Sequence, residues 1–320
     1  MAKIDRAITP MIEVRDLRKS FSKDLFKEKQ DSVKGLSMKF MPGTCTGLMG
    51  HNGAGKSTTI RIMLSLLKPD QGEVWFQGHS IQATDRAKIG YMPEASKLAD
   101  KLTPYEILKT HLNLFPHKAK KGDPTPLIDE ALKTVGLWDA KNKQARHFSK
   151  GMGRRLSWAQ ATIHDPELII LDEPFAGMDP LGRLKLQTWI NDLKDRGKTV
   201  ILCTHEITSA FELCDDFYIL KKGTLAFSSK EGQKSSTYEL TLDAHVTGDL
   251  DSFKGKCSLP PWISIEQESK RTTLTFSEAS HIKSWVTALN SEGWDIHSFR
   301  KGHPVSRLEL SEIFDHGGEQ

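Results

Sequence analysis

The chain has 320 residues, 45 of them lysine or arginine against 41 aspartate or glutamate, and 38% are hydrophobic. That length and apolar content suffice to bury a large core in one major and one minor domain, and the near balance of charge excludes a nucleic-acid-binding tail, so no nucleic-acid partner is expected. No apolar run approaches membrane-spanning length, and the opening MAKIDRAITPMIEV carries acids and a proline where a signal peptide needs an unbroken apolar core.

Any role at a membrane must therefore pass through a partner. Cys45, Cys203, Cys214 and Cys257 lack metal-ligand or redox spacing, which suits a reducing cytosol and small buried hydrophobes.

In chain order, Met11 to Val14 and Leu36 to Phe40 read as short strands, and Cys45 to Met49 as a buried strand ending in glycine. From Gly55 the spacing Ile60, Met63, Leu64, Leu67 predicts a helix that Pro69-Asp70-Gln71-Gly72 ends. Apolar runs at Val74 to Phe76, Ile89 to Met92, Leu168 to Leu171, Val200 to Cys203 and Phe217 to Leu220 predict further strands. From Leu168 onward they alternate with helical patterns such as Leu186, Trp189, Ile190, Leu193. Strands alternating with helices predict an α/β fold with a parallel sheet. Between them, Thr103 to Ala145 shows no strand and reads as part of an inserted helical subdomain at about 95–165.

The serine-rich SSKEGQKSS at 228–236 reads as a hinge that divides a first domain, 1–228, from a second, 229–320. Beyond it the period becomes two at Tyr238-Leu240-Leu242 and Thr272-Leu274-Phe276. A helix is expected on Ile282, Trp285, Val286 and Leu289, and a strand from Asp295 to Phe299, which makes a small C-terminal α+β domain without a catalytic constellation.

Chemistry begins at Gly50-His51-Asn52-Gly53-Ala54-Gly55-Lys56-Ser57, which fits G-x-x-x-x-G-K-[ST] between a strand and a helix. Glycines let the backbone wrap a phosphate chain with its N–H groups pointing inward at a helix N-terminus. Lys56 can then reach the β and γ phosphates, and the Ser57 hydroxyl can ligate Mg²⁺. The second element, Leu168-Ile169-Ile170-Leu171-Asp172-Glu173, is a buried strand ending in two carboxylates. Ligands of doubly wound sheets lie beyond the carboxyl ends of the strands, so these acids should face the glycine loop, Asp172 holding Mg²⁺ through water and Glu173 polarising the attacking water.

The ordered set GHNGAGKS, IGYMPEAS, FSKGMGRRL, LIILDEP, AGMD and THE resembles the ATP-binding cassette (ABC) transporter ATPases, over about Met11 to Phe227. SKGM in the signature and PE in the middle loop are similar to the exporter type whose membrane-spanning permease is a separate polypeptide, and LELSEIF at 308–314 resembles the tail of that group. The resemblance implies a P-loop NTPase core of ABC ATPase type, with ATP and Mg²⁺ bound. It makes Gly50 to Thr58 the Walker A loop (Gly50, His51, Asn52, Gly53, Ala54, Gly55, Lys56, Ser57, Thr58), and Asp172 with Glu173 the Walker B end and catalytic carboxylate. Asp179 becomes the D-loop acid and His205 the switch histidine. Phe21 in LRKSF, or Phe26 beyond a lysine-rich insertion, occupies the place of the aromatic that stacks on adenine. Glu94 stands where the family usually has glutamine, and a carboxylate there can still approach Mg²⁺ while adding negative charge.

FSKGMGRR presents a physical problem. A helix capped by Ser149 opens with Lys150, Arg154 and Arg155 and no acid, although a helix N-terminus behaves as a partial positive charge. The family offers an answer: the signature, here Ser149, Lys150, Gly151 and Met152, closes on the γ-phosphate held by a second subunit. Lys150 and Met152 replace a glycine and the glutamine of the usual LSGGQ. The expected protein is thus a cytoplasmic ATPase subunit, peripheral on the membrane through a permease partner met by the helical subdomain and Glu94. It pairs head to tail with a second copy and drives transport, with export expected. Two other readings stand beside it, an ATPase acting on a non-membrane partner and a nucleotide-binding subunit that hydrolyses little.

Overall fold

The computed structural model describes residues 8–22, 29–95, 98–115, 123–229 and five C-terminal strands. In chain order the elements begin with β1 (Ile12–Ser22), β2 (Lys29–Phe40), β3 (Cys45–Gly50), α1 (Lys56–Met63), β4 (Gln71–Phe76), β5 (His79–Ser80) and β6 (Ile89–Met92). Then come α2 (Pro104–Asn113), α3 (Thr125–Thr134), α4 (Lys150–Thr162), β7 (Leu168–Asp172) and α5 (Pro180–Asp195). β8 (Thr199–Thr204), α6 (Ile207–Leu213), β9 (Asp216–Lys221) and β10 (Thr224–Ser228) complete this part.

A six-stranded sheet in the order β10-β9-β3-β8-β7-β6 is parallel except for β10 at one edge. Its central strands are apolar on both faces because both are covered. On one side Leu168 and Ile170 pack with Leu48, Ile60 and Phe76; on the other, Ile169 and Leu171 pack with Leu108, Leu156 and Ile190. Each such side chain contributes roughly 1.5–3 kcal/mol by leaving water. Alternation along a single strand thus joins two cores through one sheet.

The first core is closed by a second, antiparallel sheet in the order β2-β1-β4-β5. β1 and β2 are much longer than the expected runs at Met11 to Val14 and Leu36 to Phe40. Register shifts between Val14 and Leu17, with Asp16 at φ 42°, break the two-residue period that a strand shows in sequence. The helix expected to reach Leu67 stops at Met63, since Ser65 turns to φ 54° and the N–H groups of Leu66 and Leu67 return to the Arg61 carbonyl.

Among the described residues no strand lies between β6 and β7. Thr103 begins α2 with a reciprocal cap, its hydroxyl accepting from the Glu106 N–H while the Glu106 carboxylate accepts from the Thr103 N–H at 2.8 Å. α4 starts at Lys150 with Ser149 as its cap, accepting from the Met152 N–H at 3.2 Å, an interaction worth about 1 kcal/mol. No described helix is long and apolar enough to cross a membrane. Beyond residue 229, β11 (Tyr238–Asp243), β12 (Ile263–Glu268), β13 (Arg271–Phe276), β14 (Ile296–Lys301) and β15 (Arg307–Glu309) form an antiparallel sheet in the order β12-β13-β11-β14-β15. Phe26, the helix expected on Ile282, Trp285, Val286 and Leu289, and the end of LELSEIF lie outside the described residues.

One histidine pair ties α2 to the sheet. His111 Nε2 lies 3.2 Å from His164 Nδ1, and His164 Nε2 lies 3.3 Å from the Ile89 carbonyl oxygen at the start of β6. Phe115 stacks on the His164 ring. Burial, and secondarily His164, push the His111 pKa down to about 4. The unfolded chain therefore takes up a proton at His111 that the folded chain refuses, and stability falls as pH drops from about 6.5 toward 4. Thermal unfolding across that window should show a shallower loss for His111→Gln than for the unsubstituted protein.

Candidate functional site

The glycine loop joins the end of β3 to the start of α1. Gly55, the residue before the helix, has φ 102°, and a Cβ there would come within 2.6 Å of the Ser32 carbonyl oxygen, so both the turn and the packing demand glycine. α1 has no side-chain cap and no acid in its first turn. Its free N–H groups and partial positive charge suit an anion held in the loop. Asn52 and Gly53 are exposed in the loop and Ala54 is buried beneath it after the half-buried His51; Ser57 and Thr58 follow Lys56 partly exposed, Thr58 Oγ1 lying 2.9 Å from Ser32 Oγ.

Lys56 is 6% exposed. Its ammonium donates to the carbonyls of Gly50 at 2.5 Å and His51 at 3.1 Å, and lies 3.6 Å from Glu173 Oε1. The cation thus faces the carboxyl end of β7, as the sequence reading expects. Asp172 and Glu173 are both buried, and Asp172 Oδ1 and Glu173 Oε1 have no hydrogen-bond partner. Burial raises the Asp172 pKa; the Cys203 thiol opposes this, and the carboxylates of Glu173 and Glu94 add to it. Two buried acceptor oxygens without hydrogen-bond donors among the described residues fit a hydrated Mg²⁺. Glu94 is exposed, with its carboxylate near enough to weigh on Asp172.

Glu173 has φ 45°, a left-handed conformation costing a residue with a Cβ roughly 1–2 kcal/mol. Several partners hold it there. Its N–H donates to the Cys203 carbonyl at 2.8 Å, its carbonyl accepts from Arg154 Nη2 at 2.5 Å, and its Oε2 lies 2.9 Å from His205 Nδ1. Donation by His205 to that carboxylate places the ring proton on Nδ1. One side chain therefore meets both the loop lysine and the histidine at the end of β8.

Arg154 corrects part of the reading of FSKGMGRR. It is 3% exposed and gives its guanidinium to the carbonyls of Pro93, Glu94 and Glu173, so it has no role at the start of α4. Burial lowers its pKa, opposed by Asp172, Glu94 and Glu173. Arg155 likewise donates to the carbonyls of Val135 and Gly136 at the end of α3. Carbonyls inside the chain thus take up the Nη groups of Arg154 and one Nη of Arg155, and of the three cations only Lys150 stays at the helix start, exposed, with its side chain against Gly177. The signal was present: Arg154 shares the helical face of Trp158 and Ala161, which are buried.

Ser149, Gly151, Met152, Gly177 and Asp179 line one surface groove with the start of α5. Asp179 caps α5, accepting from the Gly182 N–H at 3.2 Å. A Cβ on Gly151 would meet nothing within 4 Å, so this chain's own packing does not require a glycine there. Phe21, at the end of β1, is 42% exposed, with the Lys19 ammonium 5.7 Å over its ring.

The ABC transporter family model matches residues 33–176. The fluoroquinolones export ATP-binding protein of Mycobacterium tuberculosis is 36% identical over 224 residues, 67% of this chain and 71% of that protein. The chain belongs to the ABC transporter ATP-binding proteins. An uncharacterized ABC transporter ATP-binding protein of Nostoc sp. is 37% identical over 222 residues, and the match spans 68% of this chain and 66% of that relative. Among solved structures, an ATP-binding cassette captured as a dimer in a post-hydrolysis state with ADP and Pi is similar at a TM-score of 0.63 and 25% identity, over 68% of this chain and 97% of that one. The ABC cassette thus accounts for the α/β core with its parallel sheet.

Arg154 gives this cassette a structural test. Arg154→Met should lower unfolding free energy by about 3 kcal/mol, because one buried and two partly buried carbonyls lose their donor. Denaturant titration measures it, and Arg155→Met, whose acceptors are partly exposed, should cost clearly less.

Proposed function

We propose that the protein is the ATP-hydrolysing subunit of an ABC transporter, with Glu173 as the carboxylate that polarises water, His205 as the switch that orients it, and Lys56 as the phosphate clamp. The observation that carries this reading is the sharing of Glu173 by Lys56 and His205, at 3.6 and 2.9 Å. A γ-phosphate entering the loop offers Lys56 a better anion than the carbonyls of Gly50 and His51. Glu173 Oε1 is then free to accept a hydrogen bond from water while His205 holds Oε2. Bound Mg²⁺ would be held by Ser57 and, through water, by Asp172 and Glu94, and it would neutralise phosphate charge. Gly50, His51, Asn52, Gly53, Ala54, Gly55 and Thr58 wrap the phosphates with backbone and hydroxyl donors, and Phe21 stacks on adenine.

The chain works as a head-to-tail homodimer in this reading. Ser149, Lys150, Gly151 and Met152 serve the nucleotide of the second subunit, and Asp179 lies beside that contact. Support comes from the open space at Gly151, from Lys150 as the cation left at the start of α4, and from the dimeric cassette among the similar structures. An ATP phosphate supplies the negative charge that the first turn of this helix lacks.

The partner is a separate membrane-spanning permease, docked on the helical subdomain at about 95–165 near Glu94, with the cassette on the cytoplasmic face. The relative named as an export protein supports outward transport. We assign the cassette to residues 1–228 and an accessory domain to 229–320.

Glu173→Gln should bind MgATP and accumulate as a dimer on size-exclusion chromatography; a persistent monomer at saturating MgATP overturns the assignment. Ser149→Arg should keep monomer ATP affinity within about threefold while turnover falls by about a hundredfold or more. Unchanged turnover would reduce Ser149 to a helix cap.

A further inference from the structure

Glu206 directly follows His205 and is the first, capping residue of α6, yet its carboxylate makes no capping hydrogen bond. It turns to α5, where Arg183 grips it with two parallel hydrogen bonds, Nη1 to Oε2 at 2.6 Å and Nη2 to Oε1 at 2.8 Å. Ser209 Oγ donates to the same Oε2 at 3.1 Å. On its backbone side, the Glu206 N–H donates to Thr204 Oγ1 at 3.0 Å, and Thr204 ends β8 fully buried. The peptide units flanking His205 are therefore pinned from two directions, by β8 through Thr204 and by α5 through Arg183.

Arg183 in turn belongs to the first turn of α5. Its N–H donates to the Asp179 carbonyl at 3.0 Å, in the same turn where the Asp179 side chain holds the Gly182 N–H. Leu181, 61% exposed, stands on this turn and lines the groove that contains Ser149 and Gly151. A bidentate guanidinium–carboxylate pair constrains orientation as well as distance, which a lysine in place of arginine cannot do.

We propose that Arg183 and Glu206 are a positioning pair that couples the Asp179 turn of α5, where a second subunit packs, to the placement of His205 on Glu173. The proposal rests on the ATPase and dimer reading above. A shift of α5 on dimer closure moves the Arg183 fork, the fork moves Glu206, and the adjacent His205 changes its reach to Glu173. Each site thereby reads the presence of the other subunit through a connection inside its own chain, and hydrolysis becomes sensitive to closure.

The test is MgATP turnover by the full chain, with kcat, KM and the Hill coefficient measured for Arg183→Ala, Arg183→Lys, Glu206→Gln and the swapped double variant Arg183→Glu/Glu206→Arg. The single variants should lose kcat by about tenfold with KM within about twofold, and their Hill coefficient should fall toward one. The swap should recover most of kcat, and Arg183→Lys should recover less because it lacks the fork. Unchanged kcat and Hill coefficient in Arg183→Ala overturn the proposal, as does a loss that the swap leaves in place. If Arg183→Ala does not fold, Glu206→Gln, which keeps size and shape, carries the same readout. Absence of turnover in the unsubstituted protein would instead sink the ATPase reading itself, so the two failures are distinct.

Discussion

Two adjacent carboxylates at the buried end of β7 impose the main electrostatic constraint on this molecule. Removing such charges from water is expensive, and the surroundings must supply compensating cations and donors. Lys56 comes from the glycine loop, Arg154 from α4 and His205 from the end of β8, and all three converge on Glu173. The elements that deliver them are thereby held in register with the parallel sheet. Asp172 Oδ1 and Glu173 Oε1 are left without donors, and a hydrated cation and a water molecule are the partners that suit them.

The backbone of Glu173 also links two sides of the fold. Arg154 reaches from the second turn of α4 to the carbonyls of Pro93 and Glu94 as well as Glu173. The start of that helix faces an open groove with the Asp179 turn. A displacement at the groove therefore has two mechanical routes inward, through α4 and Arg154 to the Glu173 backbone, and through α5 and Arg183 to the residue beside His205. Close-packed interiors transmit such shifts because side chains have few alternative places to go. The groove is in this way connected to the strained residue at the end of β7.

Much of the site was legible in the sequence because its motifs are local. GHNGAGKS needs glycines at fixed offsets, and LIILDE joins an apolar run to its terminal acids, so residue type and spacing carry the information. The strands of the parallel sheet were legible for a related reason: burial on both faces makes them continuous apolar runs. Only parts of β1 and β2 show in the sequence, since the irregularity around Asp16 shifts the alternation and the outer face is polar. The end of α1 was missed because Leu64 and Leu67 continue the helical period while the backbone has already turned at Ser65. In sequence Arg154 and Arg155 stand with the helix start, whereas in the structure both reach carbonyls 19 to 61 residues away along the chain.

By itself, the sequence determined which residues can do chemistry: a glycine loop with Lys56 and Ser57, two carboxylates after a buried strand, a histidine after another, and a helix opening on serine without an acid. Hydrogen-bonding capacity and backbone freedom are properties of residue type, so they can be read one residue at a time. The tertiary structure alone decided which charges are already satisfied. It bound Arg154 and Arg155 to carbonyls, set Lys56 and His205 on one carboxylate, and joined Arg183 to Glu206 across two helices. Those pairings depend on distances between segments far apart in the chain, which residue type and spacing do not contain. Of the cations in FSKGMGRR, only Lys150 consequently stays exposed at the start of α4, with open space at the neighbouring Gly151.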